Sequence, residues 1–503
     1  MKIQPMITRA SLCLLAWCAL AVAPTCAQTI THVPLTFNGD SDGMANIAVG
    51  ELGDRFGSTV SGAGDVNGDG FDDLIVGASG DDNNGLESGS VRVFSGVDGS
   101  VLYNIDGDSA GNRFGSVVSD AGDVNGDGVA DLIVGAGLDS TNGTFRGSAR
   151  VLSGVDGSVL HDFEGDTVGD LFGTSVSGAG DVNGDGFADL IVGALFDDNN
   201  GFNSGSARVF SGVDGSVLYT FDGDSAEDNF GGSVSGAGDV NGDGFADLIV
   251  GASSLAVSPG DFDFARVFSG VAGSVLYTFA GASLGNGFGG SVSGASDVNG
   301  DGFADLVVGA SLDDNNGTDS GSVRVFSGVD GSVLYDFAGD SAEDRFGSSV
   351  SGAGDVNDDG FADLIVGAID DDNNGTDSGS VRVFSGVDGS VLYNFDGDSA
   401  EDNFSRVSGA GDVNGDGVDD FIVGALGFGG ANNGRYARVF VSQVTPSVLK
   451  GDVNISGNVD FFDIAPFIAV LSSGSFQAEA DVNCDGEVNF FDISALITVL
   501  MTP

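Results

Sequence analysis

Between Phe346 and Asp402 the apolar and polar positions fall into four short segments separated by breaks rich in Gly and Asp. "FGSSVSGAGDV" alternates small residues, which suits an inner strand where neighbouring sheets crowd together. "FADLIVGA" is short and fully apolar, as expected of a strand covered on both faces. "SVRVFSG" alternates apolar and polar residues. In "GVDGSVLYNF" an Asp-Gly pair stands between two strand patterns, a strong hairpin signal. The pattern predicts four antiparallel strands in this stretch.

The stretch is one copy of seven. The first aspartate after the inner-strand pattern recurs at Asp65, Asp123, Asp181, Asp239, Asp297, Asp355 and Asp412, in five steps of 58 and a last one of 57. The upstream phenylalanines Phe56, Phe114, Phe172, Phe230, Phe288, Phe346 and Phe404 keep a step of 58 throughout, so one residue is missing between Phe404 and Asp412. A fixed long period means one supersecondary unit, each copy burying its apolar faces on its neighbours. Four strands repeated seven times predict an all-β fold, a seven-bladed β-propeller; a linear solenoid is the runner-up, with repeats that are usually shorter. The seventh unit lacks a clean fourth strand after "RYARVFVSQ". "VPLTFNGDS" (Val33 to Ser41) matches the fourth-strand pattern "SVLYNFDGDS", so the N-terminal strand is expected to close the last blade and remove two exposed edges.

Composition adds an extreme charge. Sixteen basic residues face 75 acidic ones, a net −59. Such a surface repels nucleic acid and anionic membranes and invites cations; outside the motifs it also serves solubility. Residues 1–27 read as a signal peptide, with Lys2 and Arg9 ahead of the apolar "ASLCLLAWCALAVA" and small residues up to Ala27. That apolar core is too short for a membrane span. Lipidation at Cys26 is the alternative, although "APTC" is a poor lipidation box. Cleavage near Ala27 would leave Cys484 as the sole cysteine, so no intrachain disulfide could form, and an exported chain then needs another staple.

The breaks between first and second strands supply one. In "GAGDVNGDGFADLIVGA" positions one, three, five and nine of the aspartate loop are oxygen donors, and the carbonyl of position seven (Phe187 in this copy) adds another. The candidate ligands are Asp65, Asn67, Asp69 and Asp73; Asp123, Asn125, Asp127 and Asp131; Asp181, Asn183, Asp185 and Asp189; Asp239, Asn241, Asp243 and Asp247; Asp297, Asn299, Asp301 and Asp305; Asp355, Asn357, Asp359 and Asp363; and Asp412, Asn414, Asp416 and Asp420. Hard oxygen donors at alternate positions of a Gly-rich loop suit Ca2+. Magnesium prefers a rigid octahedron, and zinc would want sulfur or imidazole. The competing reading, a metal-free aspartate turn, leaves three carboxylates within nine residues repelling one another at every copy. A dinucleotide loop is excluded by spacing and by the strand, rather than helix, that follows.

"FG", then "GAGDVNGDG" and "DLIVGA", resembles the FG-GAP repeat of integrin alpha chains, from about Gln28 to Gln443. The resemblance implies a seven-bladed propeller with calcium in the hairpin loops of some blades. Ser405, where other copies have Gly, departs from the pattern beside the deletion and marks the last blade as the least secure. The integrin inserted domain, legs and transmembrane helix have no counterpart, and no Arg-Gly-Asp triplet occurs.

The propeller is assigned to residues 28–445 and a second module to 446–503. "GDVNISGNVDFFDIAPFIAVL" and "ADVNCDGEVNFFDISALITVL" each open with a twelve-position calcium-type loop and run into a short apolar helix. The first offers Asp452, Asn454, Ser456, Asp460 and Asp463, the second Asp481, Asn483, Asp485, Asn489 and Asp492; Ser456 weakens the first. The pair resembles a type I dockerin, a duplicated half EF-hand, which implies a small α-helical domain and docking onto a cohesin-like partner. The recognition positions would fall at Phe461, Phe462, Phe490 and Phe491, residues that equally suit the core of a very small domain.

Nothing recurrent points to catalysis. The histidines, His32 and His161, lie in unrelated repeat positions, and His161 reads as a solvated strand residue. Acidic pairs abound, but glycoside hydrolysis needs two carboxylates in separated environments. The expected function is a secreted or cell-surface, calcium-binding, non-enzymatic adhesion or ligand-binding protein that contacts an extracellular protein or glycan through its variable loop face and is tethered through its C-terminal module. The alternative is a component of an extracellular polysaccharide-degrading assembly, as a carbohydrate-binding subunit or as a lyase or hydrolase; a surface-layer filler is the third. Calcium loops and Asp-Gly turns share one rim. The second-to-third and fourth-to-first connections share the other and vary most, with Phe145, Arg146, Phe262, Phe264, Arg435 and Tyr436 as candidate contacts.

Overall fold

The computed structural model describes residues 30–38, 54–141, 144–254, 263–427 and 435–444, with the backbone alone for 30–38 and 443–444. The signal segment, Phe262 and the whole C-terminal module, with its ten loop ligands and four phenylalanines, lie outside the described residues.

Seven four-stranded antiparallel sheets form the blades. In the first blade, from inside outward, the strands are Phe56–Gly64, Asp73–Ala78, Ser90–Phe94 and Val101–Asp106. The next five blades repeat this order. The seventh is built from Phe404–Gly411, Asp420–Ala425 and Tyr436–Val444, and Ile30–Asn38 pairs outside Tyr436–Val444. The N-terminal strand thus closes the last blade.

The core lies between blades, which explains the unbroken apolar "DLIVGA". Side chains alternate across a strand. Leu74 and Val76 pack with seventh-blade residues such as Ile422 and Val439, while Ile75 between them packs with Leu132 and Val134 of the second blade. A strand sandwiched by two neighbours has no face left for polar residues, and this one is buried along its whole length in every blade. The outermost strand is half exposed and alternates accordingly.

The Phe-Gly pair that opens each unit anchors the seam. Phe56 is buried, and Arg92 stacks over its ring at 5.5 Å. Gly57 sits at φ +79°, and a Cβ there would collide with the Tyr436 carbonyl of the seventh blade. Glycine is therefore required twice, for the left-handed backbone and for the close approach. In the seventh blade the register passes from Phe404 over one residue to Arg406, where the sixth passes from Phe346 over two to Ser349. The missing residue is thus taken from a bulge. Ser405 is outside the left-handed region that glycine fills in the other copies. The expected weak point is resolved without loss of a strand.

Neighbouring blades are further tied by an arginine on the third strand. It reaches an aspartate beyond the outer strand of the preceding blade: Arg150 to Asp108, Arg208 to Asp166 and Arg266 to Asp224 at 2.6 Å each, Arg438 to Asp398 at 2.7 Å, and Arg382 to Asp340. The aspartates are largely exposed, so each pair contributes at most about 1 kcal/mol.

Candidate metal centres

Each aspartate loop folds around its own carboxylates. In the first blade Asp65 Oδ1 accepts from Gly68 N–H at 2.7 Å and Asp69 N–H at 3.0 Å, and its Oδ2 accepts from Gly70 N–H at 2.8 Å. Asp69 Oδ1 accepts from Phe71 N–H at 3.1 Å. The same bonds recur at Asp123, Asp181, Asp239, Asp297 and Asp412. Gly68 and Gly70 adopt φ of +73° and +91°, which lets successive N–H groups turn inward.

Position nine starts the second strand and is fully buried in all seven blades. Asp73 Oδ2 accepts from Val66 N–H and Oδ1 from Gly96 N–H, both at 3.0 Å, so this one carboxylate joins the calcium-type loop to the Asp-Gly turn of its blade. Asn67 Nδ2 also donates to it, at 3.2 Å. Burial pushes the Asp73 carboxyl up to about 6; the two backbone bonds oppose the rise, and the charges of Asp69 and Asp65 add to it. Asp131, Asp189, Asp247 and Asp305 are raised to about 6 by the same cause, and Asp363 and Asp420 to about 7.

In the first blade these bonds fold the turn around position one and, through the asparagine at position three, tie it to the buried carboxylate at position nine. Among the described residues, no group of three acidic, histidine or cysteine side chains is placed to hold a metal ion. A cation would have to be held by the mixed set of carboxylates, asparagine and carbonyl that the loop sequence offers. Its fit to a hard cation is clearest in the sixth blade. There Asn357 Oδ1 is buried with no hydrogen-bond partner, and Asp363 is one of the two position-nine carboxylates raised to about 7. An orphaned oxygen in a loop that ends on a desolvated carboxylate fits a cation better than it fits a self-contained turn.

The seventh loop differs. Ser442 stands where the first blade has Gly96, and its hydroxyl donates to the Asp416 carboxylate at 2.7 Å. Asn414 Nδ2 is drawn to Ser442 O at 3.0 Å. The Asp416 carboxylate is thus engaged by a hydroxyl that the glycine of the other blades cannot supply, so this loop is expected to hold a cation least tightly. A Ser442→Gly variant should bind one more calcium per chain at limiting free calcium, read by native mass spectrometry; unchanged stoichiometry would refute the competition.

Two sequence readings are corrected. His161 is not a solvated strand residue: it is half-buried, stacks on Phe163 at 5.7 Å, and its Nε2 lies 2.6 Å from Gly212 O of the next blade. Tyrosines at this position make the same link, Tyr103 OH to Val155 O at 2.7 Å and Tyr335 OH to Gly386 O at 2.7 Å. On the variable rim Tyr436 is only 5% exposed and packs on Phe404, and Phe264 opens a strand, so neither presents a loop contact. Arg435 is half-buried, its Nε donating to Leu426 O and Gly427 O. Phe145 is exposed as expected, at 48%. Two residues that sequence reasoning passed over are more exposed still, Leu86 at 73% and Phe202 at 64%. Both sit at one position inside an otherwise uniform "DDNNGxxSG" loop, and that single apolar exception was the available signal.

A seven-bladed propeller whose blades each carry an aspartate loop on the first hairpin defines the class. The FG-GAP repeat model matches residues 56–94, 116–152, 172–210, 230–258, 288–326 and 346–384, and the dockerin type I domain model matches 450–501. The chain is an FG-GAP-repeat, integrin-alpha-like β-propeller protein with a C-terminal type I dockerin domain. It is 33% identical over 213 residues to integrin alpha-5 of Xenopus laevis, covering 39% of this chain and 20% of that one. It is 30% identical over 203 residues to integrin alpha-V of Gallus gallus (38% and 19%), and 36% identical over 157 residues to integrin alpha-11 of Homo sapiens (29% and 13%). The chain thus spans about a fifth or less of the length of these relatives.

Proposed function

We propose that this protein is a non-catalytic, calcium-dependent binding subunit that its dockerin domain attaches to an extracellular, polysaccharide-handling assembly. The observation that carries the reading is the joining of a dockerin type I domain to a complete propeller. A docking module gives a binding propeller a place in a larger assembly, through a cohesin-like partner outside the cell. Calcium in the seven loops, through positions one, three, five and nine, and in the two C-terminal loops would replace the disulfides that a chain cleaved near Ala27 could not form. An apolar amino-terminal segment of signal-peptide type supports export.

The ligand surface is the rim opposite the aspartate loops. Leu86, Phe145 and Phe202 stand exposed there on the second-to-third connections of three successive blades, while the fifth and sixth carry Thr318 and Thr376 at the Leu86 position. Exposed rings on a rigid scaffold suit stacking against sugar faces. A Phe145→Ala, Phe202→Ala double variant should lose at least about tenfold in affinity for the bound glycan. Its melting temperature should stay within a degree of wild type. A glycan array run in calcium, followed by titration of both proteins, tests this; binding unaffected by the double change would move the site elsewhere. Release of reducing sugar or unsaturated product from any polysaccharide would overturn the non-catalytic assignment. The integrin alpha relatives favour a second reading, adhesion to a protein, which the same array leaves standing only if no glycan binds.

A further inference from the structure

The inner strand of the seventh blade carries an arginine that no described residue answers. On the inner strand of each other blade one residue stands opposite the glycine of the second strand: Thr59 opposite Gly77, Val117 opposite Gly135, Ser175 opposite Gly193, Ser233 opposite Gly251, Ser291 opposite Gly309 and Ser349 opposite Gly367. At that level in the seventh blade, opposite Gly424, the residue is Arg406. The third-strand arginines stack on phenylalanines, and five of them pair with an aspartate of the preceding blade. Arg406 has no hydrogen-bond acceptor and no ion-pair partner among the described residues. Burial alone lowers its pKa, with no neighbouring charge contributing, yet the side chain keeps some exposure to solvent. The seven inner strands contact one another in a closed ring, and Arg406 stands on one of them.

Four of the hydroxyls at this level are set to donate, whereas Ser175 Oγ already donates to Gly231 O at 2.7 Å. Thr59 Oγ1 accepts from Val118 N–H at 3.3 Å, Ser233 Oγ from Val292 N–H at 3.1 Å, Ser291 Oγ from Val350 N–H at 3.0 Å and Ser349 Oγ from Val407 N–H at 3.2 Å. A hydroxyl whose oxygen is occupied by a backbone N–H still has its own proton to give. One level of the inner strands therefore carries a fork of guanidinium donors and four hydroxyls with a proton to give. A desolvated cation without a counter-charge is costly. A planar or tetrahedral oxyanion matches the fork.

We propose that the central channel is a binding site for one small oxyanion, a sulfate, phosphate or carboxylate group, held by Arg406 and the surrounding hydroxyls. The site is independent of the rim that takes the proposed glycan and of the aspartate loops. The test is equilibrium dialysis of the full chain with radiolabelled sulfate, in calcium and at constant ionic strength set with chloride. Wild type should show one saturable site per chain. Arg406→Ser, which installs the residue that four other blades have at this level, should lose at least tenfold in affinity. The same pair is melted against sulfate, because sulfate also stabilises proteins by general exclusion; the saturable, low-concentration part of the rise should vanish in the variant. If Arg406→Ser fails to fold, Arg406→Lys, which keeps the charge and loses the fork, should weaken binding instead. Displacement by acetate or by phosphate supports the site and tells which oxyanion it takes. Absence of saturable binding in wild type, or equal binding by a folded Arg406→Ser, overturns it.

Discussion

In excess chelator the propeller should lose stability steadily between pH 5 and pH 8, and calcium should reverse the slope. The position-nine carboxylates carry the effect. Folded, Asp73, Asp131, Asp189, Asp247 and Asp305 titrate at about 6, and Asp363 and Asp420 at about 7, against 3.8 for the free group. Between those limits the folded chain binds more protons than the unfolded chain, so stability falls as pH rises. The loss is complete once pH exceeds the folded values. A shift of two units corresponds to about 3 kcal/mol per group. Even a fraction of that at seven groups is comparable to the whole stability of an ordinary domain, roughly 5–15 kcal/mol. Calcium binds only the deprotonated loop, so in its presence stability should rise through the same window, by about 2.7 kcal/mol per site at a hundredfold excess over Kd. Thermal melts across this range, with chelator and with millimolar calcium, check both slopes. Identical melts at pH 7.5 with and without calcium would remove the metal from the loops. A melt in chelator that does not fall with pH would show that the buried aspartates are not the cause.

The repeat period, the four strands of each unit and the N-terminal closing strand are all legible before any coordinates, because each rests on a pattern repeated seven times. The loop residues are legible for the same reason. Their geometry is less so. Asp73 belongs to the second strand, and one of its hydrogen bonds comes from Gly96, a partner 23 residues on that no local pattern names. What the repeats hide is the single exception. Ser442 and Arg406 each replace a small residue that other blades use, and each changes the chemistry of its level in the fold. The rim candidates fail by register. Phe264 pairs with Ala252 and Ala280, and Tyr436 pairs with Ala425, so both belong to strands where sequence divergence between copies had suggested a loop surface.

Deleting residues 30–38 should lower the melting temperature by about 10 °C or more, corresponding to several kcal/mol for a chain of this size, and should promote self-association. Six blades hold four strands from one continuous stretch of chain, whereas the seventh joins Ile30–Asn38 to Tyr436–Val444 from the other end. The ring is therefore closed by strand pairing between distant segments, with no disulfide to hold it among the described residues. Without the N-terminal strand, Tyr436–Val444 becomes an edge with unpaired N–H and C=O groups, a template for another chain. The cost should also spread inward, because Ala437, Val439 and Val441 pack with Phe56, Leu74 and Val76 across the seam to the first blade. A permuted variant that carries 30–38 after Val444 through a short linker should recover the wild-type melt, since pairing and not position in the chain closes the blade. Calorimetry and light scattering on the deletion and the permuted variant decide the matter. A deletion that melts with wild type and stays monomeric would mean that three strands suffice to close the ring.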